Sequence, residues 1–193
     1  KQKKVWCAAS THSGEEIFCL NAHKIIKKYH NNLLTIIIPR HINRIQSVYS
    51  ECKKHNLNAQ ILNKTDKIRN DADIILVNAF GELPKYYNFC KSIFMGKSLL
   101  KKLNLVGGQN PIEPAKYDCK IYFGPYVYNF LEVYEYLKKN NMAFQIKDVQ
   151  DLSTNISHDL NNLKKINFEN IKKINSFGEK ILSNTIKELD AIF

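Results

Sequence analysis

Short apolar runs recur along the chain, and between them the apolar positions fall at helical spacing. Runs at 5–9, 33–38 and 73–77 read as strands, the last two continuous enough to be buried on both faces of a parallel sheet. Shorter runs at Ala59–Leu62, Ser92–Met95, Lys120–Phe123 and 143–146 complete the strand set. The periodicity predicts helices over about 14–29, 42–55, 82–89, 111–117 and 129–139, with a charged helical tail over 151–163 and 168–192.

Strands alternating with helices predict an α/β fold: a Rossmann-like parallel sheet with helices on both faces. Ligands of such sheets sit beyond the C-terminal ends of the strands, which puts the loops at 10–16, 39–44, 78–82 and 107–113 in one place. No internal repeat or low-complexity linker divides residues 1–193, so one domain is expected. No apolar run reaches the roughly 18 residues a membrane span needs. The chain starts at Lys1 and runs directly into a strand, and we read it as a piece of something longer.

Charge and composition change the picture only in part. The formal net charge of +11 favours an anionic partner. Yet 26 lysines, 23 isoleucines and 22 asparagines are what an A/T-rich genome produces without selection for binding. Arginine is rare against that background, and two of its three positions, Arg40 and Arg44, fall in one five-residue stretch. A planar forked donor serves phosphate in a way lysine does not. The five cysteines are scattered without any C-x-x-C pair, so neither a disulfide framework nor a zinc site is supported; they read as reduced thiols of a cytosolic protein.

The densest signal is Gly107-Gly-Gln-Asn-Pro-Ile-Glu-Pro-Ala115: a glycine loop and then a sharply started helix. Asn110 is placed to be the N-cap, Pro111 the first helical residue, and Glu113 the acid of a capping box. Such a start offers free N–H groups and a positive dipole end to a phosphate. Ser10-Thr-His-Ser-Gly-Glu-Glu16 follows the first strand; Ser13 and Glu16 have capping-box spacing, which leaves Ser10, Thr11 and His12 as a polar cluster still to be explained. Pro39 and Arg40 end the second strand and aim the guanidinium at the same crevice. In Asn78-Ala-Phe-Gly-Glu82, Gly81 permits close backbone approach and Glu82 can accept from ribose hydroxyls or from amides. Met95-Gly-Lys-Ser98 fails as a phosphate-binding P-loop, because position 91 is Lys where the motif needs glycine. No G-x-G-x-x-G, H-E-x-x-H or G-x-S-x-G appears, so no metal centre or hydrolase elbow is expected.

Taken in order, these blocks resemble the C-terminal half of the Kdo (3-deoxy-D-manno-octulosonic acid) transferases of Gram-negative bacteria. They are Ala8-Ala-Ser-Thr-His-Ser-Gly-Glu-Glu16, Ile38-Pro-Arg-His-Ile-Asn-Arg44, Phe80-Gly-Glu-Leu83 with Tyr86-Tyr87, the Gly107–Ala115 block, and Phe123-Gly-Pro-Tyr-Val-Tyr-Asn-Phe130. The chain departs from that family's pattern at Val77-Asn-Ala-Phe80, at Gln109 where members have His, and at Met95-Gly-Lys-Ser-Leu99.

The resemblance implies one half of a GT-B glycosyltransferase that binds the donor CMP-Kdo, with no cofactor and no metal. Carried over by position, the donor site comprises Pro39, Arg40, Phe80, Gly81, Glu82, Asn110, Pro111, Ile112 and Glu113, joined by Ser10, Thr11 and Gly108 from the strand-end loops. No catalytic residue is expected in this chain, since the family's general base lies in the N-terminal half. The resemblance further implies a lipid A precursor as acceptor, the protein's own N-terminal domain and the inner-membrane surface as partners, and a location at its cytoplasmic face. Two alternatives stay open: a GT-B donor domain for another nucleotide sugar, and a basic module for nucleic acid or a membrane surface. The lysines of the tail follow helical spacing without aromatic stacking positions, which argues for a solvated face and against nucleic acid as a partner.

Overall fold

The computed structural model describes residues 3–79, 81–162 and 166–190. Seven strands, β1 (Lys4–Thr11), β2 (Leu33–Pro39), β3 (Ala59–Leu62), β4 (Ile74–Val77), β5 (Ser92–Met95), β6 (Lys120–Phe123) and β7 (Ala143–Gln145), form one sheet. Its order is β3-β4-β2-β1-β5-β6-β7 and every pairing is parallel. The helices are α1 (Glu15–Lys27), α2 (Ile45–Lys54), α3 (Leu83–Tyr87), α4 (Ile112–Lys116), α5 (Leu131–Lys139), α6 (Val149–Asn161) and α7 (Phe168–Asp190).

Both faces of the sheet are covered, as continuous apolar strands require. On β1, Trp6 and Ala8 point to one face, where they meet Leu20 and Ile26 of α1, Val48 of α2 and Ile156 of α6. Cys7 and Ala9 point to the other, toward Tyr87 of α3, Ala115 of α4, Tyr134 of α5 and Ile174 of α7. All five cysteines are buried and unbridged, and burial pushes the thiols of Cys52 and Cys119 up to about 12. They pack as small apolar groups.

The expected elements are present, with instructive shifts at their ends. The helix predicted over 42–55 begins as a 3-10 turn, Ile42–Arg44, before α2, and a second such turn, Tyr128–Phe130, precedes α5. The predicted final residues Leu163 and Ile192 lie outside the described residues. No described helix is long and apolar enough to cross a membrane.

Strand order reverses between β1 and β5: β2, β4 and β3 build outward on one side, β5 to β7 on the other. That switch point opens a crevice at the C-terminal ends of the strands. A pocket of about 90 Å³, lined by Ser92, Lys120, Asn141 and Asp159 among others, lies at the opposite edge. There Asp159 is occupied by Ser92 Oγ (2.8 Å), Tyr122 OH (2.6 Å) and the Lys120 ammonium, so it serves to close the sheet's far edge.

His23 of α1 is fully buried, with Nδ1 2.7 Å from Thr35 Oγ1 and no partner for Nε2 among the described residues. Burial, then the nearby Lys27 cation, holds its pKa down at about 4. The unfolded chain takes up this proton near pH 6.5 and the folded one does not. Stability is therefore full above about pH 6.5 and falls toward pH 4, by at most about 1.4 kcal/mol per pH unit. His12 and His30 are shifted the same way. The contribution of His23 is accordingly read as a shallower acid limb for His23→Gln than for the wild type in denaturant melts from pH 8 to 4.

Candidate functional site at the switch point

The loops after β1, β2, β5 and β6 are bonded to one another in a row. Between β2 and β1, Arg40 N–H donates to Thr11 O (3.0 Å). Between β1 and β5, Gly96 N–H donates to Ala9 O (2.8 Å). Between β5 and β6, Gly124 N–H and Tyr126 N–H donate to Ser98 Oγ (2.9 Å) and Ser98 O (2.8 Å). The glycine loop joins this row through Gly108 N–H, which donates to Lys97 O (2.6 Å), and through Gly107 O, which accepts from Asn129 N–H (3.0 Å). A side chain at Gly96 would put its Cβ 2.4 Å from Ser10 O, so only glycine permits this approach.

Two neighbouring glutamates build the frame, and neither does what the capping pattern predicts. The N-cap position of α1 is Gly14 at φ 102°, without a side-chain cap, so the expected Ser13–Glu16 box is not formed. Glu16, 3% exposed, accepts from Thr11 Oγ1 (3.0 Å) and from both Nη atoms of Arg44 (2.8 and 3.0 Å). Glu15, fully buried, accepts N–H bonds from His12, Lys97, Ser98 and Leu99 at 2.7–3.0 Å. The local pattern loses to long-range partners that satisfy both carboxylates better.

Of the residues predicted for the site, Ser10 sits at the shift in register between Ala9 and Thr11, at φ 55°, and is nearly buried. Its carbonyl faces His12 Nδ1 at 3.2 Å; because a carbonyl only accepts, Nδ1 carries the hydrogen. Burial lowers the His12 pKa, so the ring is neutral near pH 7. The ring stacks edge-on against His41, centroids 5.6 Å apart. Thr11 corrects the expectation: it is completely buried and its hydroxyl is committed to Glu16, so it belongs to the frame. Pro39 ends β2 opposite Thr11. Arg40 is exposed, and among the described residues no hydrogen bond or ion pair engages its guanidinium.

The 107–113 wall keeps the Asn110 cap of its prediction but not the Glu113 capping box. Gly108 has φ 96°, a conformation side chains resist. Asn110 Oδ1 accepts from Ile112 N–H (2.9 Å), the bond expected of its capping role, and Pro111 already has helical backbone angles, while regular helix begins at Ile112. Glu113 is exposed and makes no capping-box bond. The prolines at 111 and 114 have no N–H, and that of Ile112 is taken. The helix start therefore offers fewer donors than expected. What remains open, among the described residues, are the N–H groups of Gln109, Asn110 and Glu113.

The 78–82 loop stands apart from the row. Asn78 is tied to the end of β3 through Leu62 O (2.9 Å) and Asn63 Oδ1 (2.8 Å), so it is not a cap of α3. Gly81 has φ 73°, and the Lys85 ammonium at 2.5 Å holds the Glu82 carboxyl below its usual range. Phe80 lies outside the described residues. Ala79 and Leu83 pack with Ile112 against the same core face, which keeps this loop beside α4.

Sequence reasoning missed Glu15, Lys97 and Ser98. The signal was Met95-Gly-Lys-Ser98, set aside for lacking the first glycine of a P-loop. The segment nonetheless turns consecutive N–H groups to one point, with Lys97 at φ 58°.

A seven-stranded parallel sheet with this switch-point crevice defines the class: a Rossmann-like α/β domain. The C-terminal CMP-Kdo binding domain of WaaA from Acinetobacter baumannii superposes with a TM-score of 0.75 over 90% of each chain, at 24% identity. By sequence, the chain belongs to the family of 3-deoxy-D-manno-octulosonic acid transferases. It is 30% identical over 152 residues to that of Haemophilus influenzae and 31% identical over 188 to that of Rickettsia felis. These matches take in 78% and 97% of this chain but 34% and 39% of the relatives, so the chain spans between a third and two fifths of their length. No protein-family model matches it.

The two arginines of the β2 loop are expected to differ sharply on removal. Arg44→Ala strands the buried Glu16 carboxylate and costs about 3 kcal/mol. Arg40→Ala stays within about 0.5 kcal/mol of wild type, as surface changes do. Urea melts of the two variants read both values.

Proposed function

We propose that this chain is the donor-binding part of a Kdo transferase, which holds CMP-Kdo while the rest of the protein presents a lipid A precursor. The observation that carries the reading is the set of donors at the switch point that find no partner among the described residues: the N–H groups of Gln109, Asn110 and Glu113, and the Arg40 guanidinium at the mouth of the neighbouring strands. Backbone donors held on a rigid row suit the oxygens of a phosphodiester, and a free arginine supplies a forked contact. The family membership supports the choice of CMP-Kdo, as does the fold shared with a domain named for binding it.

In the whole protein, an acceptor hydroxyl attacks the anomeric carbon of Kdo, the bond to the phosphate oxygen breaks, and CMP leaves with the added negative charge. The donors aimed at that phosphate stabilise the charge as it develops. In this reading a general base that takes the hydroxyl proton comes from the remainder of the protein. In the bacterial cell this reaction belongs to lipopolysaccharide assembly at the inner membrane. The net charge of +11 favours an anionic membrane surface.

The chain is expected to bind CMP in calorimetry without turning over CMP-Kdo by itself, and Arg40→Ala to weaken CMP about tenfold, near 1.4 kcal/mol. Equal binding of UMP points to another nucleotide sugar. No binding of either, in a chain whose circular dichroism is native, defeats the reading.

A further inference from the structure

Glu15 carries a charge that the proposed ligand scheme does not use. It opens α1, it is fully buried, and no lysine or arginine pairs with it among the described residues. Its Oε2 accepts from His12 N–H (2.9 Å) and Lys97 N–H (2.7 Å), and its Oε1 from Ser98 N–H (2.9 Å) and Leu99 N–H (3.0 Å). Three of these donors are consecutive, and they converge because Lys97 takes the left-handed conformation. A concavity of successive N–H groups beyond a β-strand, at a switch point, is how main chain cradles a phosphate. Here the occupant is the protein's own carboxylate.

The cradle adjoins the open donors of the glycine loop. Lys97 presents its N–H to Glu15 and its carbonyl to Gly108 N–H (2.6 Å), so a single residue bonds both the buried carboxylate and the glycine that precedes Gln109. An anion resting on Gln109 and Asn110 has a filled cradle and a buried negative charge for its neighbour.

We propose that Glu15 is a specificity-determining residue. It occupies the anion cradle of residues 97–99 from within, so that a ligand with a single phosphate is accepted beside it and a ligand carrying a second phosphate is rejected, by occupancy and by charge. This rests on the nucleotide-binding reading above and adds to it the reason for selecting a nucleoside monophosphate linkage.

The test compares wild type with Glu15→Ala and the near-isosteric Glu15→Gln in two arms. In the first, sodium acetate is titrated while the amide resonances of Lys97, Ser98 and Leu99 are followed. In Glu15→Ala these amides shift saturably and the melting temperature rises, neither occurring with matched chloride, while wild type is unaffected. In the second, CMP and CDP compete for the site. Wild type prefers CMP, and both variants move the CDP-to-CMP affinity ratio toward CDP by about tenfold. An unchanged ratio in folded variants, or amides that ignore acetate, overturns the proposal. Where Glu15→Ala fails to fold in chloride, recovery of its native circular dichroism in acetate supports the cradle and failure to recover counts against it, while Glu15→Gln still reports the ratio. If wild type binds neither nucleotide, the ligand reading falls, whereas the acetate titration still decides for or against the cradle.

Discussion

Four main-chain N–H groups converge on the Glu15 carboxylate, and the ligand-facing edge takes its shape from that convergence. A carboxylate removed from water is costly unless its oxygens are fully bonded. Bonds from amides to a charged acceptor are among the stronger ones available to main chain, and four of them offset the loss. The loops they join follow β1 and β5, neighbours in the sheet whose bonded residues lie 82 to 84 positions apart in the chain. Closing so long a loop is entropically unfavourable, so the contact must be strong to hold a defined geometry. The absence of a side chain at Gly96 lets the two backbones meet, and Glu15 keeps them there.

From that anchor the polar residues of the crevice divide into two sets. Half-buried Arg44 and the buried Thr11 bond to Glu16 in one network, and Ser98 ties the ends of β5 and β6 by donating to Met95 O (2.6 Å) and accepting from Gly124 N–H. A fully satisfied network of this kind is rigid. Arg40 and the amides of residues 109, 110 and 113 stay outside it. Sorting by motif puts Thr11 with Arg40; sorting by burial separates them. At the far edge, Asp159 with Ser92, Tyr122 and Lys120 forms an equally self-satisfied cluster. The open main-chain donors of residues 109, 110 and 113 lie at the other edge, beside the exposed Arg40.

Much of the fold is legible in the sequence because its signal is local. Ala59–Leu62, Ser92–Met95 and Lys120–Phe123 are apolar runs bounded by polar or turn residues, and the strands begin and end where the runs do. Helix ends are less legible: the prolines at 111 and 114 fix where α4 can form but not which residue caps it. The capping boxes fail for the same reason, since Glu16 and Glu113 have the right spacing but other surroundings decide their bonds. The candidate site is legible as a set of loops through their place after strands, and illegible as chemistry. No local rule reports that Glu15 meets Lys97.

The donors left open along residues 109–113 belong to the backbone and not to side chains. The path of that backbone is set by Gly108, by Asn110 and by the hydroxyl of Tyr134, which donates to Gln109 O (3.0 Å). The side chain at position 109 has no part in setting it, so histidine and glutamine there present the same amide to the crevice. A genome under compositional pressure can rewrite such a wall residue by residue, toward lysine and asparagine, and leave its hydrogen-bonding face intact. What such a segment must keep is the course of its main chain, not the identity of its side chains.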